Sequence, residues 1–336
     1  MPERPSRHTR RPSLVKPKIL RTDAELFIIE QYLDELRATA DVATTERTDE
    51  DGLAAAARDA TLILTCYTAI TAKVIESARK LKGIVKYGVG TDNIDIAAAT
   101  RRGVMVANCP DYGSDTVADH AFALLIALAR KIPFLDRAMR RDGWIWPAPE
   151  YFGVDLAGKT IGLVGFGRIG RAMARRAHGF GMTRLVSDPY VDPATVTEFG
   201  VRFVGLDRLL AESDFVSLHC MLTPETHGLI GEVALARMKS TAFLIDVSRG
   251  AIVDEAALVR ALDAGRIAGA AFDVFAHEPL NPGYPLFGRD NVILTPHLAW
   301  YTEEAFQRVE RDTLAGVRDM LAGNRPKHLK NVDVLD

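Results

Sequence analysis

Two spacings of apolar residues alternate along most of the chain. Short continuous apolar runs stand at residues 18–20, 60–65, 83–86 and 104–107, and again at 160–164, 184–187, 215–219, 242–247, 269–274 and 292–295. Between them, apolar residues recur every three or four positions, at 25–37, 72–81, 168–180, 232–237, 255–264 and 303–321. Strand-length runs separated by helical stretches predict parallel strands with crossover helices. The expected class is α/β, with two Rossmann-like or flavodoxin-like domains built on doubly wound parallel sheets. The first series of units ends near Pro110 and the second starts at Thr160.

Between the two series, residues 114–131 read as one helix that is apolar on nearly every side, with Val117, Ala118, Ala121, Phe122, Leu124, Leu125, Ile126 and Leu128. Such a helix is expected to be buried all round, in a core or in an interface. The segment 143–152, GWIWPAPEYF, follows it and carries Trp144 and Trp146 among prolines. Helix and arm together predict a homodimer.

Composition removes several alternatives. A formal net charge of −2 provides no field to draw nucleic acid or an anionic membrane, so neither is expected as a partner. No apolar run reaches the roughly 18 residues that a membrane span needs. Cys66, Cys109 and Cys220 form neither CxxC nor a Cys/His cluster. That pattern argues against a metal or a disulfide framework and fits a reducing, cytoplasmic setting. Residues 1–16 differ from the rest: Arg4, Arg7, Arg10, Arg11 and Lys16 stand against Glu3 alone, among prolines and without an apolar stretch. They predict a disordered basic tail rather than a secretory signal.

The strand at 160–164 runs straight into Gly165-Phe-Gly167-Arg168-Ile169-Gly170, and a helix opens at once. In such a loop the first glycine makes the tight turn, the second lets the backbone approach a pyrophosphate, and the third lets helix and strand pack closely. The helix N-terminus then offers N–H groups to the phosphates. Asp188 ends the next strand, about where an acid accepts from the adenosine ribose hydroxyls. A carboxylate there repels a 2′-phosphate, so the expected cofactor is NAD, with NADP disfavoured.

Arg249, Glu278 and His297 each follow a strand candidate, and in an open α/β sheet those strand ends line the ligand crevice. Reducing a 2-oxo acid needs a cation to hold the carboxylate and polarise the carbonyl, which the planar fork of Arg does well. It needs an acid for the developing alkoxide, a task for His, and gains from a carboxylate that orients the imidazole. Lys86, just before Gly88-Val89-Gly90, and Trp300, three residues past His297, are further candidates to meet the substrate.

The chain resembles the D-isomer-specific 2-hydroxyacid dehydrogenases in five ordered motifs: YGVGTDNID at 87–95, VGFGRIG at 164–170, DVSRGAIVDEAAL at 246–258, FDVFAHEP at 272–279 and TPH at 295–297. The resemblance implies a catalytic Arg249, Glu278 and proton-donating His297. It also implies cofactor contacts at Val89, Val117, Gly165, Gly167, Arg168, Ile169, Gly170, Asp188, Cys220, Val247, Ser248 and Asp273, and substrate contacts at Lys86, Val89, Gly90, Arg249 and Trp300. Its smaller domain would be 17–112 with 302–336, and its NAD-binding domain 113–301. Glu278 stands where the family's formate dehydrogenases carry Gln, and the chain has no room after the core for the regulatory domain of many phosphoglycerate dehydrogenases. Two departures, Cys220-Met221 after His219 and Leu298-Ala299-Trp300-Tyr301 after His297, resemble the C-terminal-binding-protein-like branch of corepressors. The reading is an NAD-dependent reductase of a small 2-oxo acid; the alternative is an NAD(H)-sensing, corepressor-like binding protein with residual dehydrogenase activity.

Overall fold

In the computed structural model, residues 16–24, 26 and 28–335 are described, and of the proposed basic tail only Lys16 falls among them. The chain divides into two compact units, residues 1–112 with 307–336, and residues 113–306. The second crossing falls inside the helix Glu303–Leu321, a few residues beyond the expected boundary at 301/302.

The first unit holds five parallel strands: β1 Lys18–Arg21, β2 Asp41–Thr44, β3 Leu62–Thr65, β4 Gly83–Lys86 and β5 Met105–Ala107. Their order is β2-β1-β3-β4-β5, so the strand order reverses between β1 and β3. The second unit holds seven: β6 Thr160–Val164, β7 Thr183–Ser187, β8 Arg202–Phe203, β9 Phe215–Leu218, β10 Phe243–Asp246, β11 Gly269–Phe272 and β12 Val292–Leu294. Their order is β12-β11-β10-β9-β6-β7-β8, all parallel, with the reversal between β6 and β9. Both units thus show the parallel, doubly wound α/β architecture expected from the sequence.

Alternate side chains of a strand point to opposite faces, and the second sheet buries both. Ile161, Leu163, Phe215, Phe243 and Ile245 join one core, under the helices Ser114–Ala129 and Arg168–Gly179. Val164, Val216, Leu218 and Leu244 join the other, under Leu206–Glu212, Glu232–Arg237 and Glu255–Asp263. This two-sided burial is why the strands read as unbroken apolar runs.

Several expectations are corrected. Residues 25–37 are not one helix: Glu30–Tyr32 is a 3-10 turn and the α-helix is Leu33–Thr39, with Asp23 and Ile29 at positive φ ahead of it. The long helix ends at Ala129, because Lys131 takes a left-handed φ of 54° and Pro133 helps to start a second helix, Ile132–Asp142. Within Ser114–Ala129 the large apolar residues enter their own unit's core, and Asp115, Asp119 and Ala123 face outward. The arm at 143–152 exposes Trp144 by 72% and Trp146 by 77%. Among the described residues, no helix is long and apolar enough to cross a membrane.

Candidate active site

The glycines after β6 differ in what the fold asks of them. Gly165 has φ +95°, and a Cβ there would stand 2.6 Å from the Cys220 backbone nitrogen across the β6/β9 reversal. A Cβ on Gly170 would lie 2.3 Å from the Gly165 carbonyl oxygen. Backbone atoms cannot move aside, so both positions need glycine. Gly167 has φ −73°, and a Cβ there would meet nothing within 4 Å. The fold does not require its bareness, whereas in a dinucleotide loop the glycine at this place lets the backbone approach a pyrophosphate at the helix N-terminus. The chain around it therefore fits a dinucleotide.

Asp188 follows β7, accepting from the Phe166 N–H at 2.7 Å through Oδ2 and from the Tyr190 N–H at 2.8 Å through Oδ1. These bonds hold the carboxylate against the glycine loop. Arg168 is exposed at the start of the helix, while Ile169 and Val117 are half-buried beside the core. Burial pushes the Cys220 thiol up to about 12, with the charges of Asp246 and Asp188 adding to it, so Cys220 contributes as a neutral group. Val247 is buried and Ser248 half-buried in the turn after β10.

That turn carries Arg249. A Cβ on Gly250 would stand 2.1 Å from the Phe275 carbonyl carbon, so the Arg-Gly step lets the β10 loop press on the segment leading to Glu278. Glu278 Oε1 accepts from the Phe275 N–H at 2.9 Å, and Oε2 lies 2.7 Å from Nδ1 of His297. Burial tends to raise the Glu278 carboxyl, but the bond and charge of His297, the Phe275 N–H and the charge of Arg249 outweigh it and hold it below the usual carboxylate range. The three predicted catalytic residues are thus brought within one another's electrostatic reach.

His297 has a left-handed φ of 56°, which a non-glycine residue adopts only when its surroundings over-determine it, at a cost of about 1–3 kcal/mol. Its N–H donates to the Asp273 carbonyl at 2.7 Å. The Asp273 carboxylate is fully buried: Oδ1 accepts from the Thr295 hydroxyl at 2.6 Å and the Leu298 N–H at 3.0 Å, and Oδ2 from the Ala299 N–H at 2.8 Å. Trp300 is buried as well, edge-on to Tyr301 at 5.1 Å between centroids.

Of the residues predicted to meet substrate, Lys86, Val89 and Gly90 belong to the first unit. Lys86 is buried, with Nζ donating to the Cys66 carbonyl and, at 3.0 Å, to Asn93 Oδ1. Val89 is exposed, and its carbonyl accepts from Asn108 Nδ2 at 2.6 Å.

Two residues of the second unit escaped the sequence reading. Asp246, at the end of β10, is fully buried; burial pushes it up to about 7, against the pull of Ser248 and Arg249. Ser248 donates to Oδ1 through both its N–H at 2.8 Å and its hydroxyl at 2.6 Å, whereas Oδ2 is buried without a partner. The other is His120, whose Nε2 lies 3.0 Å from the Thr295 hydroxyl. Its proximity depends on tertiary structure, and no motif announces it.

Comparison with known proteins bears on the family. Residues 122–299 match the family model described as D-isomer specific 2-hydroxyacid dehydrogenase, NAD binding domain. The chain is 46% identical over 268 residues to a glyoxylate reductase of Korarchaeum cryptofilum, covering 79% of this chain and 81% of that protein. It is 43% identical over 276 residues to D-3-phosphoglycerate dehydrogenase of Mycobacterium tuberculosis, covering 82% of this chain but only 52% of that longer protein. Among solved structures, D-lactate dehydrogenase from Aquifex aeolicus, complexed with NAD and lactic acid, superposes with a TM-score of 0.84 at 28% identity, covering 93% of this chain and 98% of that one.

Proposed function

The chain belongs to the D-isomer-specific 2-hydroxyacid dehydrogenase family and is an NAD-dependent oxidoreductase; from that premise we propose that it reduces a small 2-oxo acid to the D-2-hydroxy acid, with His297 as the proton donor. The observation that carries this reading is the 2.7 Å pair between His297 Nδ1 and Glu278, held beside the charge of Arg249.

Bound at the glycine loop, the reduced cofactor supplies the hydride that C2 of the substrate takes up. Arg249 holds the substrate carboxylate and draws electron density from the carbonyl. Glu278, kept ionised, fixes and orients the imidazole through Nδ1. His297 then delivers a proton from Nε2 to the carbonyl oxygen as the alkoxide develops. Asp188 receives the adenosine ribose and disfavours a 2′-phosphate. The carboxylate of Asp273 supports the loop of His297, and its expected cofactor contact joins those proposed for Val117, Cys220, Val247 and Ser248. The Val89–Gly90 turn, Lys86 and Trp300 complete the proposed substrate contacts. The exposed arm with Trp144 and Trp146 supports the proposal of a homodimer, which a mass measurement by light scattering tests.

The enzymatic reading takes precedence over a corepressor-like role because Arg249, Glu278 and His297 are all present and two of them are paired. Steady-state kinetics with NADH across glyoxylate, hydroxypyruvate, pyruvate and bulkier 2-oxo acids tests it. Turnover of at least one is expected, and better KM values for the bulkier acids would support a wall at Trp300. In His297→Asn, kcat should fall by about 10²–10⁴-fold while NADH still binds. A variant retaining half the wild-type rate would remove His297 from the role.

A further inference from the structure

The hydrogen bonds around Asp273 fix which ring nitrogen of His120 carries a proton. A threonine hydroxyl has one hydrogen to give. That of Thr295 is spent on Asp273 Oδ1 at 2.6 Å, because the carboxylate can only accept. The same hydroxyl oxygen lies 3.0 Å from Nε2 of His120, so toward His120 it must accept. His120 therefore carries a hydrogen on Nε2, and donates it.

This bond joins two distant parts of the second unit. His120 stands on the helix Ser114–Ala129, 175 positions from Thr295 in the chain. His120 Nε2 also lies 3.7 Å from Asp273 Oδ1 itself, and beyond Thr295 the groups that donate hydrogen bonds to Asp273 belong to the segment that carries His297. The Asp273 carbonyl takes the His297 N–H, and its carboxylate takes the N–H groups of Leu298 and Ala299. That segment needs such restraint, since His297 sits in a left-handed conformation. A rotated Thr295 hydroxyl would leave Asp273 Oδ1 short of a donor and let the loop relax. Nε2–H of His120 keeps the hydroxyl turned the right way, because a lone pair must face the imidazole and the hydrogen must face the carboxylate.

We propose that His120 is a positioning residue: by donating from Nε2 to Thr295 it orients the Thr295 hydroxyl onto Asp273 and so fixes the backbone of the loop that bears His297. The inference rests on the proposed role of His297 for its catalytic effect, but not for its structural one. A slack of a fraction of an ångström at Nε2 of His297 would lengthen the proton path, and an error near 1 Å costs up to about 10²-fold in rate.

Two variants with the same amide group but different reach test it. In His120→Gln the amide nitrogen sits near the position of Nε2 and can still donate to Thr295. In His120→Asn it sits near Nδ1 and falls short. We expect His120→Asn to lower kcat about tenfold, with KM for NADH within about twofold of wild type, and His120→Gln to stay within about threefold of the wild-type kcat. Adding Thr295→Val to His120→Asn should cost little beyond Thr295→Val alone, as partners in one network are not additive. Amide hydrogen exchange at Leu298 and Ala299 should be faster in His120→Asn than in His120→Gln, a readout independent of turnover. Equal rates and equal exchange in the two variants would overturn the proposal, and so would additive losses in the double variant. If the exchange difference appears while His297→Asn remains fully active, the positioning link stands and the reading of His297 as proton donor falls.

Discussion

The two units solve the same topological problem in opposite ways. Each sheet reverses its strand order once, and at such a reversal the loops after two neighbouring strands part to leave a crevice lined by backbone N–H groups. In the second unit Asp188 takes the Phe166 N–H at its side, and the crevice stays open at Gly167 with the helix N-terminus behind it. In the first unit the chain fills it with its own anion. Asp23, just past β1, accepts from the N–H groups of Cys66 at 2.7 Å, Tyr67 at 3.0 Å and Thr68 at 2.9 Å, and from the hydroxyls of Thr22 at 2.6 Å and Thr68 at 2.9 Å. Three successive N–H groups closing on an anion make the kind of nest that elsewhere binds phosphate. The difference teaches that this topology makes the donors available, and the local sequence decides whether a ligand or a side chain uses them.

The comparison can be broken at its strongest point first. Gly165→Val should abolish NADH binding and cost stability as well, because both its φ and its backbone neighbours exclude a side chain. Fluorescence titration with NADH and a thermal melt measure the two losses; wild-type binding by this variant would contradict the crevice as drawn. Asp23→Ala should lower stability by about 3 kcal/mol or more, since it orphans several buried donors at once, yet leave KM for NADH unchanged. The acid side supports the same test. Burial tends to raise Asp23, but the Cys66 N–H, the Thr22 hydroxyl and Thr68 hold it below its ordinary value of 3.8. Its contribution is therefore fully present above that value and fades as pH falls through the lower folded value. A raised KM for NADH in Asp23→Ala would mean that Asp23 does more than fill the crevice of its own unit.

Gly167→Ala sharpens the contrast, because the fold tolerates the methyl and a phosphate resting at the proposed place would not. KM for NADH should rise about tenfold, roughly 1.4 kcal/mol, with the melting temperature within a degree or so of wild type; an unchanged KM would mean that the pyrophosphate lies elsewhere. Asp188→Ser should narrow the preference for NADH over NADPH, read from the ratio of the two kcat/KM values. Equal kcat/KM for both cofactors in the wild type would count directly against the role of Asp188.

The smallest effect concerns Asp246, raised by burial to about 7 from an ordinary value of 3.8. A carboxyl with a raised folded pKa binds its proton more tightly when folded, so its contribution to stability falls as pH rises from about 4 to about 7. Asp246→Asn removes that slope. Its melting temperature should gain on wild type between pH 5 and pH 8, and a constant difference would rule the titration out.

How much of this was legible in the sequence depends on how local the signal is. The glycine loop, Asp188, Arg249, Glu278 and His297 could be picked out because each sits just past an apolar strand, where one stretch of chain carries both the element and the chemistry. β2 was missed because Asp41–Thr44 lies at the sheet edge with exposed ends and shows no apolar run. β8 was missed because it is two residues long. The break at Lys131 depends on one backbone angle, which the apolar pattern running through it conceals. The nest around Asp23 and the bond from His120 to Thr295 join segments far apart in the chain, and no periodicity records such a meeting.

The division of the chain carries a consequence for how the molecule is made. The first unit is split in sequence around the second, and its core includes Val309, Leu314, Val317 and Met320 from the helix Glu303–Leu321. Within it, Glu310 accepts from the Ile29 N–H at 2.8 Å, across 281 positions of chain. On a ribosome the early strands of the first unit emerge long before the helix that covers them, whereas the second unit leaves the exit tunnel nearly whole. Domains fold as units during synthesis, and contacts this remote are slow to close. The cofactor-binding unit is thus the part that can reach its native state first, and the first unit must wait for the helix Glu303–Leu321.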